Sequence, residues 1–191
     1  MKNDEISLQT KTRLAAALKS SMSRKSFDKI TVKELLEACD LSRPTFYYHF
    51  QDIYALMEWM FNNEMVNLLR KSEDCLTWDD GILLLLRYAQ ENRAVCLCAY
   101  ESVGYDALRR MFFKSVASIL KVFVDNLNAD IGAKPEHVDF ITGFYTQAFA
   151  SSLLSWIQDG MKQTPEEMIK LLDITMHGNI ASALRRSTTE K

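Results

Sequence analysis

Glycine and proline are scarce here, 6 and 3 in 191 residues, so the chain has few places where it is obliged to turn or break. A β-sandwich, with turn residues every ~8–12 positions, is excluded on that ground. Cysteine is equally thin. Cys39, Cys75, Cys96 and Cys98 lack the spacing of a disulfide framework or of a four-ligand zinc site, so free thiols and no metal are expected. Apolar runs such as Ile82–Leu86 stop far short of the ~20 residues that cross a bilayer, and no membrane partner is expected. The charged start Met1-Lys2-Asn3-Asp4-Glu5 has no apolar leader segment, and a cytoplasmic location is expected. There is no glycine-rich phosphate loop, nucleophile elbow or metal-ligand pattern, so no cofactor and no catalytic residue is expected; the chain does not read as an enzyme.

An excess of charge of one sign is also missing, but the near balance hides a division along the chain. Of the 23 basic and 25 acidic residues, nine and six fall in residues 1–50, leaving 14 and 19 for the remainder. A modestly basic head on an acidic body suits a small module that meets an anionic partner, though differently solvated faces produce the same asymmetry.

What the sequence does have is apolar spacing of three and four nearly everywhere, with almost no period-two alternation. That predicts an all-α protein. A first helix is predicted over Leu8–Arg24, with Leu14, Ala17, Leu18 and Met22 inward. Thr31 and Glu34 form a capping-box pattern ahead of the stripe Val32, Leu35, Leu36 and Cys39, and Asp40 tolerates the left-handed turn that must follow. Ser42 is the expected N-cap of a very short third helix, stapled by Leu41 and Phe46, with Pro44 acceptable in its first turn. Asp52 caps a long fourth helix with an inner stripe of Ile53, Leu56, Met57, Met60, Phe61 and Leu68. Further helices are predicted over Asp80–Asn92, Asp106–Asn128, Pro135–Gln158 and Pro165–Arg186, with Ala94–Gly104 irregular.

Two short helices joined by a tight turn, from Thr31 to about His49, match a helix-turn-helix whose second helix enters the major groove. With Leu41, Phe46 and Phe50 inward, Arg43, Pro44, Thr45, Tyr47, Tyr48 and His49 face out. Arg43 has the fork that donates twice to guanine, and the methyl of Thr45 or the ring of Pro44 can touch a thymine methyl. Tyr47, Tyr48 and His49 carry donors for phosphate oxygens, and so do the backbone N–H groups around Thr31 and Val32. Ser42 completes the candidate DNA-binding set. A helical hairpin whose tyrosines pack on a neighbouring domain is the alternative.

The segment Ile30-Thr31-Val32 leading to Ala38, then Leu41-Ser42-Arg43-Pro44-Thr45-Phe46-Tyr47-Tyr48-His49-Phe50 and Leu56, resembles the DNA-binding domain of the tetracycline-repressor (TetR) family over roughly residues 10–60. The run Phe46 to Phe50, followed by Asp52-Ile53-Tyr54 and Trp59, is similar to the branch of dihydroxyacetone-kinase-operon regulators, some of which activate. Asp40 stands where the family often has Gly, and Ile53 where many members have a phosphate-contacting Lys. The resemblance implies a helix-turn-helix domain over residues 1–51, a connecting helix over 52–71 and a helical-bundle domain for dimerisation and ligand over 72–191. It implies a homodimer on a palindromic operator in double-stranded DNA, acting as a repressor responsive to a small-molecule effector. Activation, or a dimeric interaction protein without DNA binding, are the alternatives.

In the body, Trp78, Tyr88, Tyr100, Tyr105, Met111, Phe112, Phe113, Tyr145 and Phe149 are candidates to line an apolar effector cavity, although a residue at such helical spacing is more often plain core. Phe144, Ala148, Ser151, Ser152 and Ser155 suit close packing of helices, either across a dimer or within one protomer.

Overall fold

A computed structural model of the chain describes residues 2–71, 77–176 and 178–189, and every regular element among them is a helix. The order is α1 (Lys2–Met22), α2 (Val32–Cys39), α3 (Arg43–His49), α4 (Ile53–Lys71), α5 (Trp78–Glu91), α6 (Arg93–Ile131), α7 (Pro135–Gln158), α8 (Pro165–Met176) and α9 (Asn179–Thr189). A 3₁₀ turn at Phe27–Lys29 joins α1 to α2.

The head forms because α1 to α4 each carry one apolar stripe too wide for solvent. Leu14, Leu18 and Met22 of α1 are buried in one core with Leu35 and Leu36 of α2, Phe46 of α3 and Leu56, Met57 and Met60 of α4. Each such side chain contributes roughly 1.5–3 kcal/mol on burial, which offsets the poor intrinsic stability of helices as short as α2 and α3. A polar clasp adds direction: Arg13 donates to the Cys39 carbonyl, and the Cys39 thiol donates back to the Arg13 carbonyl at 3.4 Å. The end of α2 is thereby tied to α1.

The body is built around α6, which packs on α4, α5, α7 and α9 and reaches α1 and the 3₁₀ turn of the head. Contrary to the sequence expectation, Ala94–Val103 is helical rather than irregular; the irregularity is confined to Gly104 (φ 73, ψ 178), a conformation essentially restricted to glycine, which kinks α6. Ala94, Leu97, Ala99 and Glu101 favour a helix, and burial of Val95, Cys96, Cys98 and Ala99 fixes it against the core. The Cys98 thiol donates to the Lys25 carbonyl of the head at 3.7 Å.

The single last helix expected over Pro165–Arg186 is two: α8 stops at Met176, and Gly178 at φ 70 precedes α9. α1 starts at Lys2, before the expected Leu8, and α5 starts at Trp78 because Thr77 accepts from Asp80 N–H at 3.4 Å and caps it. Between head and body, Glu64 of α4 accepts from Lys19 of α1 at 2.7 Å and from the Tyr88 hydroxyl of α5 at 2.5 Å. The Lys19 ammonium also lies 5.4 Å from the Tyr88 ring centre, so three helices meet at one satisfied polar group. No helix among the described residues is long and apolar enough to cross a membrane.

Candidate nucleic-acid interface

The geometry of α2 and α3 follows from local chemistry. Thr31 accepts from Glu34 N–H at 3.3 Å and starts α2, and the Glu34 carboxylate, paired with Lys25 at 2.7 Å, also meets the Thr31 hydroxyl and backbone N–H, as the capping-box pattern predicts. The Lys25 hydrogen bond holds the Glu34 carboxyl below the ordinary carboxylate range. α2 ends in a Schellman arrangement: Leu41 N–H reaches the Leu36 carbonyl at 3.0 Å, Asp40 N–H reaches Glu37 at 3.4 Å, and Asp40 is left-handed (φ 49, ψ 52). Asp tolerates that region through its short polar side chain, as the sequence predicts.

Ser42 occupies the N-cap position of α3, but its side chain makes no capping bond and pairs with the Thr45 hydroxyl at 2.8 Å, which corrects the expected side-chain cap. Phe46 is fully buried and Phe50 nearly so, with their ring centres 6.0 Å apart and Phe50 edge-on to Trp59 at 5.9 Å. α3 is therefore anchored by one face. Arg43, Pro44, Tyr47 and Tyr48 are exposed, Tyr48 to 84%, while Thr45 and His49 are half-buried.

These residues form two groups rather than one surface. Thr31, Val32, Arg43 and Tyr47 line a cleft of about 580 Å³ between α2 and α3, and the Arg43 guanidinium lies 5.7 Å from the Tyr47 ring centre. Tyr48 and His49 turn the other way and meet edge to face at 4.9 Å. Burial first, and the nearby Lys11 of α1 second, hold His49 below its ordinary pKa. Lys11 itself lies 6.0 Å from the Trp59 ring centre.

Three side chains at this surface went unnoticed in the sequence. Lys33 lines the α2–α3 cleft and is highly exposed, paired loosely with Glu37 at 3.8 Å. Lys11 arrives from α1, a placement only the fold determines. Tyr54 is half-exposed at the start of α4, its ring 4.9 Å from Phe27, beside an Ile53 that packs against the core. Asp52 accepts from Ala55 N–H at 2.8 Å, so the start of α4 is capped as expected.

The candidate effector-cavity residues are divided: Met111 and Phe113 share a cleft between α4, α6 and α7, and others are engaged within the core. Trp78 and Phe149 pack against each other at 5.2 Å, Phe112 packs on Phe61 at 6.1 Å, and the Tyr88 hydroxyl is bound to Glu64. Tyr100, Met111, Phe113 and Tyr145 are half-buried at the edge of the core, and the Tyr105 side chain lies outside the described residues. Cys39, Cys96 and Cys98 are buried free thiols, with Cys96 pushed up to about 12 by burial; Cys75 lies outside the described residues.

A second exposed face lies on α7. Phe140 (75% exposed), Phe144 (61%), Ala148 and Ser151 stand on one side with Gly143, forming a shallow groove of about 570 Å³ with Phe113 of α6. Ser152 instead bonds back to the Ala148 carbonyl, and Ser155 is exposed. Leu171 and Ile174 of α8 are exposed as well.

Comparison with known proteins agrees with this layout. Residues 14–60 match the model for bacterial regulatory proteins of the tetR family, and residues 76–178 match a transcriptional regulator C-terminal region. The HTH-type dhaKLM operon transcriptional activator DhaS of Lactococcus lactis is 33% identical over 91 residues, 48% of this chain and 49% of that protein; the match spans about half of that relative's length. A solved structure of a dihydroxyacetone kinase operon activator DhaS has a TM-score of 0.72 at 23% identity, covering 90% of this chain and 96% of that one. A TetR transcriptional regulator from Streptococcus agalactiae has a TM-score of 0.60 at 20% identity, covering 92% and 97%. At such identities these structures speak for the all-helical fold. With more than half its length matched by the C-terminal model and its head by the N-terminal one, the chain belongs to the tetR family of transcriptional regulators.

Proposed function

We propose that the protein reads a palindromic operator as a homodimer, with α3 in the major groove and a small molecule adjusting its hold on DNA. Residues 1–51 act as the DNA-binding domain, 52–71 as the connecting helix and 72–191 as the dimerisation and effector domain. The observation that carries this is the exposed face of α3: Arg43, Pro44, Tyr47 and Tyr48 stand out over a buried Phe46. Arg43 and Thr45, with Pro44, read bases, while Tyr47, Tyr48 and His49, with the N–H groups around Thr31 and Val32, position the helix on phosphates. Ser42 supports Thr45 through their shared hydrogen bond.

The exposed Phe140 and Phe144 of α7 and Leu171 and Ile174 of α8 support a second copy as the partner of that face, since patches of this kind mark interaction sites. Two copies place two α3 helices on half-sites about one DNA turn apart. Repression follows if the operator overlaps a promoter. The DhaS relative, named as an activator, favours activation as a second reading.

Selection from random duplex DNA, followed by affinity measured against salt, tests the reading. An enriched palindrome and a steep salt dependence are expected; no enriched sequence and a slope near zero would overturn it in favour of an interaction protein without DNA binding. A reporter downstream of the selected operator then separates repression from activation by the direction of its response.

A further inference from the structure

The geometry points to a binding site for a small organic phosphate in a cleft of about 340 Å³ between α4, α6 and α7, lined by Glu58, Asn62, Arg109, Arg110, Met111, Phe113, Lys114 and Gln147. The volume lies within the range of small-molecule sites. Three cations and one carboxylate face this cleft, in a body where acidic residues outnumber basic ones by 19 to 14 over residues 51–191.

Arg110 and Lys114 sit four apart on α6, where like charges repel. Elsewhere the same spacing is used to pair charges: Lys121 with Asp125 at 3.0 Å, and Lys33 with Glu37 at 3.8 Å. Arg110 and Lys114 have no ion pair among the described residues. Arg109 is held across the cleft by a 2.9 Å hydrogen bond to Gln147 of α7, which orients its guanidinium in advance of any ligand. The excess charge of three cations over Glu58 matches a phosphate monoester, which carries about −1.5 to −2 near neutral pH, better than a monocarboxylate. Met111 and Phe113 provide an apolar wall, and the Asn62 and Gln147 amides provide neutral donors and acceptors.

The position also gives occupancy a route to DNA, a step that rests on the operator-binding reading above. Glu58 and Asn62 belong to α4, whose first residues adjoin α3. A phosphate held by Arg110 and Lys114 stands against the Glu58 carboxylate and displaces α4, and α4 carries the head.

Titration calorimetry in a buffer free of phosphate and sulfate tests the site, with phenyl phosphate, inorganic phosphate and phenol as probes. Saturable binding of phenyl phosphate is expected, weaker binding of inorganic phosphate and none of phenol. Arg110→Gln with Lys114→Gln lowers phenyl phosphate affinity about tenfold or more. Glu58→Gln raises it, and Lys121→Gln leaves it unchanged. All these side chains are exposed, and circular dichroism checks that each variant is folded. No saturable binding at millimolar phenyl phosphate, or equal affinity in the Arg110→Gln/Lys114→Gln protein, overturns the site. Loss of operator affinity in that protein with phenyl phosphate binding intact also overturns it, by making the cations DNA contacts. The titration contains no DNA, so a failed operator selection removes the DNA reading and leaves this result standing.

Discussion

Two helices leave aromatic rings in solvent, and they do so with different chemistry. α3 exposes Tyr47 and Tyr48, beside Arg43 and within reach of Lys11 and Lys33; α7 exposes Phe140 and Phe144 among Gly143, Ala148 and Ser151. A tyrosine offers an apolar ring and a hydroxyl donor, which suits a partner that is polar, anionic and wet. A phenylalanine offers only area, and small neighbours let another backbone come close. Under the proposed function the two faces take opposite partners: nucleic acid on α3 and a second copy of the chain on α7.

The largest effect is expected where apolar area alone does the holding. Each ring buried in a two-fold interface contributes roughly 1.5–3 kcal/mol per protomer, so Phe140→Asp with Phe144→Asp weakens the dimer on the order of a thousandfold or more. Sedimentation equilibrium reads this, and an unchanged mass at micromolar concentration would show that α7 is not the dimer face. On α3, Arg43→Ala costs about 1–3 kcal/mol in operator affinity and flattens the preference at one base position, with dimerisation untouched. An unchanged selected sequence removes Arg43 from base reading.

Exchanging the ring chemistry sharpens the comparison. Phe144→Tyr carries a hydroxyl into a dry interface and weakens the dimer by about 1–3 kcal/mol, whereas Tyr48→Phe costs about 1 kcal/mol of DNA affinity on every duplex alike. Were Tyr48→Phe to change sequence preference instead of overall affinity, its role as a positioning contact would be wrong. The smallest effect concerns pH. His49 has a folded pKa below 6.5, so it is neutral at pH 7; its contribution to stability is present above 6.5 and is lost as pH falls through the lowered value. A phosphate oxygen favours the protonated ring and raises its pKa in the complex, so operator affinity rises as pH falls toward the lowered value and levels off below it, by at most about tenfold per pH unit. The rise disappears in His49→Gln, and a matching rise in that variant would assign it to another group.

Much of this was legible in the chain because the signals were local. Thr31, Asp40, Leu41 and Asp52 set the ends of α2 to α4 through bonds to neighbours only a few residues away, and the buried Phe46 left the α3 face that spacing predicted. The candidates for an effector cavity divide between core contacts and the cleft of Met111 and Phe113, because an aromatic at helical spacing carries no record of what it packs against. Trp78 met Phe149, Phe112 met Phe61, and the Tyr88 hydroxyl found Glu64. The helical stretch at 93–103 differs from the expectation for a related reason: the burial of Val95, Cys96 and Ala99 that fixes it depends on packing partners distant in the chain.

The sequence by itself determined the all-helical class, the short third helix and its anchoring rings, since caps, apolar periodicity and a left-handed turn are free-energy terms within a few residues. Tertiary structure alone decided which groups from distant helices share a site. Lys11 came to the side of His49, Lys19, Glu64 and Tyr88 to one junction, and Glu58 to the cleft of Arg109, Arg110 and Lys114. Those meetings depend on how α1, α4, α5 and α6 pack, and packing energy comes from area and shape, which leave no spacing in the chain to read.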